Sequence, residues 1–341
     1  MTRQGLVVVD TANLPDPDVE SAQIGPNGRL RHLITLQGLT RATVTRLLDH
    51  AEQFLAPPHQ AAVRSDALAG RTVANLFFEP STRTRASFEL AAARLGADVL
   101  NLDVKTSSRK KGESILDTIY TLEAMQCDIF VVRDAAVGVP QMIAEAVRPG
   151  VAVLNAGEAH VNHPTQGLLD ALTLRLARPD LENVTLAIVG DLAHSRVARS
   201  AYEAFNALGI GAIHFVAPDG MMLDEATYPN AHRFSKLAPG IEEADAIMAL
   251  RIQHERIDES DALPSLADYH RQFGITEHNL RLCKKTPLVM HPGPMNRGVE
   301  IDAATADGPQ SLITEQVRNG VAIRMALLAE VDSSARQIHG A

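Results

Sequence analysis

Cysteine is nearly absent: Cys127 and Cys283 are the only two, and neither belongs to a C-x-x-C pair. A disulfide framework and a thiolate zinc site are thereby excluded. The 13 histidines never form HExxH or a ligand-spaced pair with cysteine, so no metal site is assigned. A G-x-G-x-x-G turn is also missing, which makes a dinucleotide reading poor, and no cofactor is expected. No apolar run is long enough to span a bilayer. The short run from Leu6 to Val9 is too brief for the core of a signal peptide, so the cytoplasm is the expected location and no membrane partner is assigned. Positive charge is in deficit: 32 Lys and Arg face 41 Asp and Glu, a net charge of −9. That balance argues against a nucleic-acid or anionic-membrane surface, and an anionic ligand would need a local basic cluster.

What is present suggests two soluble domains. At 341 residues, with 45% hydrophobic and 21% charged residues, the chain can bury two cores. The stretch from Phe77 to Arg85, FFEPSTRTR, organises the first. An apolar run, Thr72 to Phe78, precedes it and reads as a buried strand. Phe88, Leu90, Ala91 and Leu95, closed by Gly96, follow it as the apolar face of a helix. The side chains of Ser81, Thr82, Arg83, Thr84 and Arg85 therefore fall where a strand turns into a helix. Unpaired amides and the positive end of the dipole meet an anion there. Ordinary N-capping would explain the hydroxyls. Two arginines in a first turn oppose the dipole, and capping does not explain them.

Strands alternating with helices fill the rest of the chain. The first 29 residues, rich in Asp, Pro, Asn and Gly, read as a flexible extension in which Leu6 to Val9 could pair as a strand. A helix carries Val44, Leu47, Leu48, Ala51 and Leu55. Strands are expected at 97–102, 128–133, 151–155, 185–190, 212–216, 245–250 and 287–290, with a helix after 165 that buries Leu168, Leu169, Leu172 and Leu176. Residues 252–274 are polar and broken by Pro264, which reads as a long loop and a candidate lid. Ile313, Val317, Val321 and Leu328 mark a C-terminal helix. The fold class is α/β: two doubly wound domains with parallel sheets.

Polar groups cluster at strand ends: Arg133, His163-Pro-Thr-Gln166, Asp191 to Arg196, Arg251-Ile-Gln253 and His291-Pro-Gly-Pro294. Together with STRTR, in this order, they resemble the aspartate and ornithine transcarbamoylase family from about residue 30 to 331. The resemblance implies a carbamoyl phosphate-binding domain at 30–164 plus 312–335, an amino-acid-binding domain at 165–311, and a C-terminal helix that crosses back onto the first domain. It implies that Ser81, Thr82, Arg83, Thr84, Ser107, Arg133, His163, Gln166, Gly293 and Pro294 bind carbamoyl phosphate. Lys111, Arg196, Arg251 and Gln253 would bind the amino acid, and Thr84, Arg133, His163 and Lys111 would serve catalysis.

Ser107 and Lys111, on the basic run Ser107 to Glu113, would act in the site of a neighbouring copy, making the active unit a homotrimer. Many members have Leu where this chain has Gly293, a change that a backbone contact survives. Ornithine enzymes typically have Cys where Thr165 and Pro292 stand, so both ornithine signatures are missing. The arginine pair suits a dicarboxylate through bidentate bonds, so L-aspartate is the expected acceptor. The implied activity yields N-carbamoyl-L-aspartate and phosphate, an early step of pyrimidine synthesis. Two alternatives stay open: a transcarbamoylase for another amine, and a non-catalytic paralogue serving as a scaffold. The N-terminal extension and the HPGPMNRGVEI turn resemble chains that assemble with dihydroorotase or a dihydroorotase-like subunit.

Overall fold

The computed structural model of the chain describes residues 22–57, 59–102, 114–253 and 265–339. Ser107, Lys111 and the run from Leu6 to Val9 lie outside the described residues.

Helix α1 (Arg41–Glu52) opens with Thr40 capping the Thr43 N–H and buries Val44, Leu47, Leu48 and Ala51. Then follow β1 (Thr72–Phe77), α2 (Thr82–Arg94), β2 (Asp98–Leu102), α3 (Ile115–Ala124), β3 (Ile129–Asp134), α4 (Val139–Ala146) and β4 (Ala152–Glu158). The four strands form one parallel sheet in the order β2-β1-β3-β4. Helix α5 (Pro164–Ala177) leads into β5 (Thr185–Val189), α6 (Arg196–Leu208), β6 (Ala212–Val216), β7 (Ala231–Phe234), α7 (Leu237–Ile241) and β8 (Ala246–Ala249). After α8 (Leu266–Phe273) and α9 (Glu277–Leu280) come β9 (Leu288–Met290), α10 (Ala303–Ala306) and α11 (Ile313–His339). The second sheet, also parallel, runs β7-β6-β5-β8-β9.

Strand order reverses at β1 in the first sheet and at β5 in the second. The loops leaving the C-terminal ends of β1 and β3 diverge, as do those leaving β5 and β8, and each divergence opens a crevice where open α/β sheets bind ligands. The central strands are buried on both faces, as a parallel sheet covered by helices requires: β1 and β3 have no exposed residue. Helix α11 crosses back onto the first half, packing against α1, α2 and α5. Its Ile323, Leu327, Leu328 and Val331 are fully buried. Each such side chain contributes about 1.5–3 kcal/mol of burial, so the crossing helix is a main tie between the halves.

Some expectations are corrected. Residues 252–274 are not one loop: α8 begins at Leu266 after the N-cap Ser265, which caps the Asp268 N–H, and Tyr269 and Phe273, four apart, are buried on one face. Residues 254–264 lie outside the described residues. The flexible extension does not reach residue 29. Buried Gln23 accepts the Ile34 and Thr35 N–H groups, and Arg29 pairs with Glu330 of α11 at 2.8 Å. Leu90, Leu176 and Val317 are exposed. Leu90 lies two residues past Phe88, about 200° around α2, so the buried stripe runs instead through Thr84, Phe88, Ala91 and Leu95. Strand β7 carries no apolar run, and only its first residue is buried, so it left no strand signal.

Candidate active site

Both crevices open into one cavity of about 470 Å³. Of the residues expected to bind the donor, Ser81, Thr82, Arg83, Thr84, Arg133, His163, Gln166, Gly293 and Pro294 line it, Ser107 lying outside the described residues, and so do Arg196, Arg251 and Gln253.

The STRTR turn is held from behind. The Phe78 N–H donates to the Arg133 carbonyl at 2.8 Å, which pins the end of β1 to the end of β3. Ser81 occupies the N-cap position of α2 with extended backbone, yet its hydroxyl makes no capping bond. This departs from ordinary capping and leaves the hydroxyl for the cavity it lines. The register of β3 against β4 shifts between Val132 and Asp134, an irregularity that re-aims the side chain between them, Arg133.

Arg133 donates from Nη1 to the Ala156 carbonyl at 3.2 Å and from Nη2 to Glu79 Oε1 at 3.1 Å. Arg196, the first residue of α6, donates to both Glu79 oxygens at 2.9 and 3.1 Å and to the Ala159 carbonyl at 2.9 Å. Glu79 thus ties an arginine of the first sheet to one of the second. Gly157 makes this crowding possible. Its φ is +128°, and a Cβ there would lie 2.8 Å from Arg133 Nη1 and 3.3 Å from Arg196 Cζ.

His163 precedes Pro164 at the start of α5, and its N–H donates to Ser200 Oγ at 2.8 Å. The ring is buried, with no hydrogen-bond partner for Nδ1 among the described residues. Burial, and then the charges of Arg196, Arg133, Arg324 and Arg83, hold its pKa well below the ordinary value. The imidazole is therefore neutral at pH 7. Burial also lowers Arg83, with nearby Arg251 adding to the effect.

Gln253 is placed by the turn after β5. Its N–H donates to Asp191 Oδ2 at 3.2 Å, and its Nε2 donates to the His194 carbonyl at 2.9 Å. His291 orders the turn after β9. Its Nδ1 accepts the Gly293 N–H at 2.8 Å, so Nε2 carries the ring proton and donates to Glu300 Oε1 at 3.1 Å. Gly293 has φ +64°, and a Cβ there would approach the Arg83 guanidinium to 3.1 Å.

Among the described residues, the cavity lining contains five arginines, Arg83, Arg133, Arg196, Arg251 and Arg324, against one carboxylate, Glu79. In a chain of net charge −9 this is a focused positive site, built for a substrate set with several negative charges. Sequence reading passed over Glu79, Gly157, Gln316 and Arg324. Glu79 stands inside the FFEPSTRTR stretch and could have been found there; the others become visible only when separate elements meet.

Comparison with known proteins decides the family. Residues 31–176 match the carbamoyl-P binding domain of aspartate/ornithine carbamoyltransferase, and residues 182–331 match the Asp/Orn binding domain of the same family. The chain belongs to the aspartate/ornithine carbamoyltransferase family. It is therefore a carbamoyltransferase, and the two matched segments carry the two sheets described above.

Similar solved structures support the same placement. Aspartate transcarbamoylase from Trypanosoma cruzi in complex with carbamoyl aspartate and phosphate is 31% identical, with a TM-score of 0.77 over 88% of this chain and 95% of that one. The same enzyme in complex with N-(phosphonacetyl)-L-aspartic acid gives the same identity, coverage and score. Ornithine carbamoyltransferase from Thermus thermophilus is 25% identical, with a TM-score of 0.77 over 88% of this chain and 98% of that one. Among the described residues of this carbamoyltransferase, no group of three His, Cys, Asp or Glu could hold a metal ion, and no helix is long and apolar enough to cross a membrane.

Proposed function

We propose that the chain transfers the carbamoyl group of carbamoyl phosphate to the amine of L-aspartate, giving N-carbamoyl-L-aspartate and phosphate. The observation that carries this reading is the cavity lined, among the described residues, by five arginines and one carboxylate, itself engaged by Arg133 and Arg196. Ornithine would bring an ammonium into that field, whereas aspartate brings a second carboxylate. The likeness to an aspartate transcarbamoylase that holds carbamoyl aspartate and phosphate supports the same choice.

Carbamoyl phosphate binds first, its phosphate on Ser81, Thr82, Arg83, Thr84 and Arg133, with Ser107 and Lys111 of a neighbouring copy. Gln166 and the backbone of Gly293 and Pro294 meet the carbamoyl amine. Arg196, Arg251 and Gln253 grip aspartate, and closure of the halves brings its neutral nitrogen onto the carbamoyl carbon. The new C–N bond forms as negative charge develops on the carbamoyl oxygen. Thr84, Arg133 and His163 stabilise that charge. A neutral, desolvated imidazole among arginines suits this role, because it offers an N–H to the oxyanion without giving up a proton. The C–O bond to phosphate then breaks, and the departing phosphate takes the proton from the amine.

In this reading the active unit is a cytoplasmic homotrimer with shared sites, working at an early step of pyrimidine synthesis and assembling with a dihydroorotase-like chain through the N-terminal segment. Phosphate release by the purified chain, with carbamoyl phosphate and either L-aspartate or L-ornithine, tests the acceptor. Turnover with aspartate alone is expected; turnover with ornithine overturns the reading. Deletion of residues 2–25 tests the assembly: it is expected to release the partner chain, and an unchanged complex refutes that part.

A further inference from the structure

One buried carboxylate has no part in the chemistry above. Asp170 lies one turn along α5 from Gln166 and is fully buried. Its Oδ1 accepts two amides, Gln166 Nε2 at 2.9 Å and Gln316 Nε2 at 2.7 Å, while Oδ2 has no partner among the described residues. Such a group is costly to bury unless the bonds it makes are needed.

The polarity of this network is fixed from its far end. Gln316 Oε1 accepts the His291 N–H at 2.8 Å, so the NH2 end of Gln316 is the one left for Asp170. Oδ1 is then an acceptor, and Gln166 presents its NH2 to the same oxygen. The Gln166 oxygen remains for the cavity, which Gln166 lines. The two ends of a glutamine amide differ little in shape and are opposite in polarity, so only such a partner selects between them.

We propose that Asp170 is a positioning residue for donor selection. By taking the Gln166 N–H it turns the Gln166 oxygen toward the cavity as an acceptor for the NH2 of a carbamoyl group. By holding Gln316 it seats the His291–Pro294 turn against the same group. The inference rests on the functional reading above, in which Gln166 and that turn meet the carbamoyl amine. An acyl phosphate with a methyl in place of the NH2 leaves the Gln166 oxygen buried and unpaired, the kind of mismatch a polar site rejects strongly. Acetyl phosphate is such a compound.

The test measures dissociation constants for carbamoyl phosphate, acetyl phosphate and inorganic phosphate on the full chain, for wild type, Asp170→Ala, Gln166→Ala and the double variant. In Asp170→Ala the preference for carbamoyl over acetyl phosphate is expected to fall about 10- to 100-fold, while inorganic phosphate binding stays within about twofold. Asp170→Asn, which keeps an acceptor oxygen, should restore most of the preference. In the Gln166→Ala background, Asp170→Ala should change the preference no further. An unchanged preference in Asp170→Ala, or independent effects of the two substitutions, overturns the proposal. Neutron diffraction from the wild type needs no variant to fold. Deuterons of Gln166 Nε2 on Asp170 Oδ1 support the assignment, and deuterons facing the cavity refute it. A wild type that binds acetyl phosphate as tightly as carbamoyl phosphate overturns the functional reading itself, and the inference with it.

Discussion

The two crevices of this molecule reach the same cavity by different means. At the end of β1, the first crevice offers the start of a helix: backbone amides, a dipole, and the hydroxyls of Ser81, Thr82 and Thr84 on consecutive or near-consecutive residues. At the ends of β5 and β8, the second offers long side chains, Arg196, Arg251 and Gln253, placed by distant groups such as Glu79 and Asp191. A phosphate can be met by backbone that the local sequence dictates. An amino acid has to be met by side chains whose positions depend on how the two halves come together.

That difference can be broken or sharpened by substitution. The largest effect is expected from Arg133→Ala, which removes the guanidinium assigned to both the phosphate and the oxyanion. kcat/KM should fall about 1,000-fold in steady-state assays, whereas a fall below tenfold would leave Arg133 a mere neighbour of Glu79. Glu79→Gln removes the anion shared by Arg133 and Arg196. Thermal unfolding should show a loss of about 1–3 kcal/mol, and the KM for aspartate should rise about tenfold. No change in either would mean that Glu79 links the halves only by proximity.

Ser81→Ala separates the two explanations of the STRTR hydroxyls. Because Ser81 makes no capping bond, stability should stay within about 0.5 kcal/mol, while affinity for carbamoyl phosphate drops about tenfold. The opposite pattern would restore the capping explanation.

The smallest effect concerns pH. Burial lifts the Asp170 carboxyl to about 7, against the bonds from Gln316 and Gln166 and the charge of Arg324. A carboxyl raised in the folded state binds its proton more tightly there than in the unfolded chain. Its stabilising contribution is full below about pH 4 and is lost as pH rises through about 7. The melting temperature of wild type relative to Asp170→Asn should therefore decline across that window, and a rise would contradict the assignment.

Legibility in the sequence followed the same divide. Strands buried on both faces, such as β3 and β4, read as continuous apolar runs, and the STRTR turn announced itself because strand, hydroxyls and arginines are contiguous. Helix α8 was missed because its signal lies after Pro264 in two aromatic residues and a serine cap rather than in an apolar run. Gly157, Gln316 and Arg324 carry no local motif. They matter because β4 and α11 bring them to arginines and amides far away in the chain.

The division of labour between the crevices is tested most directly on one variant, Arg251→Ala, by measuring the KM for L-aspartate and the dissociation constant for carbamoyl phosphate on the same preparation. The KM should rise about 100-fold while carbamoyl phosphate binding stays within about twofold. A parallel loss of both would contradict the account, because the two halves of the site would then not be reading separate substrates.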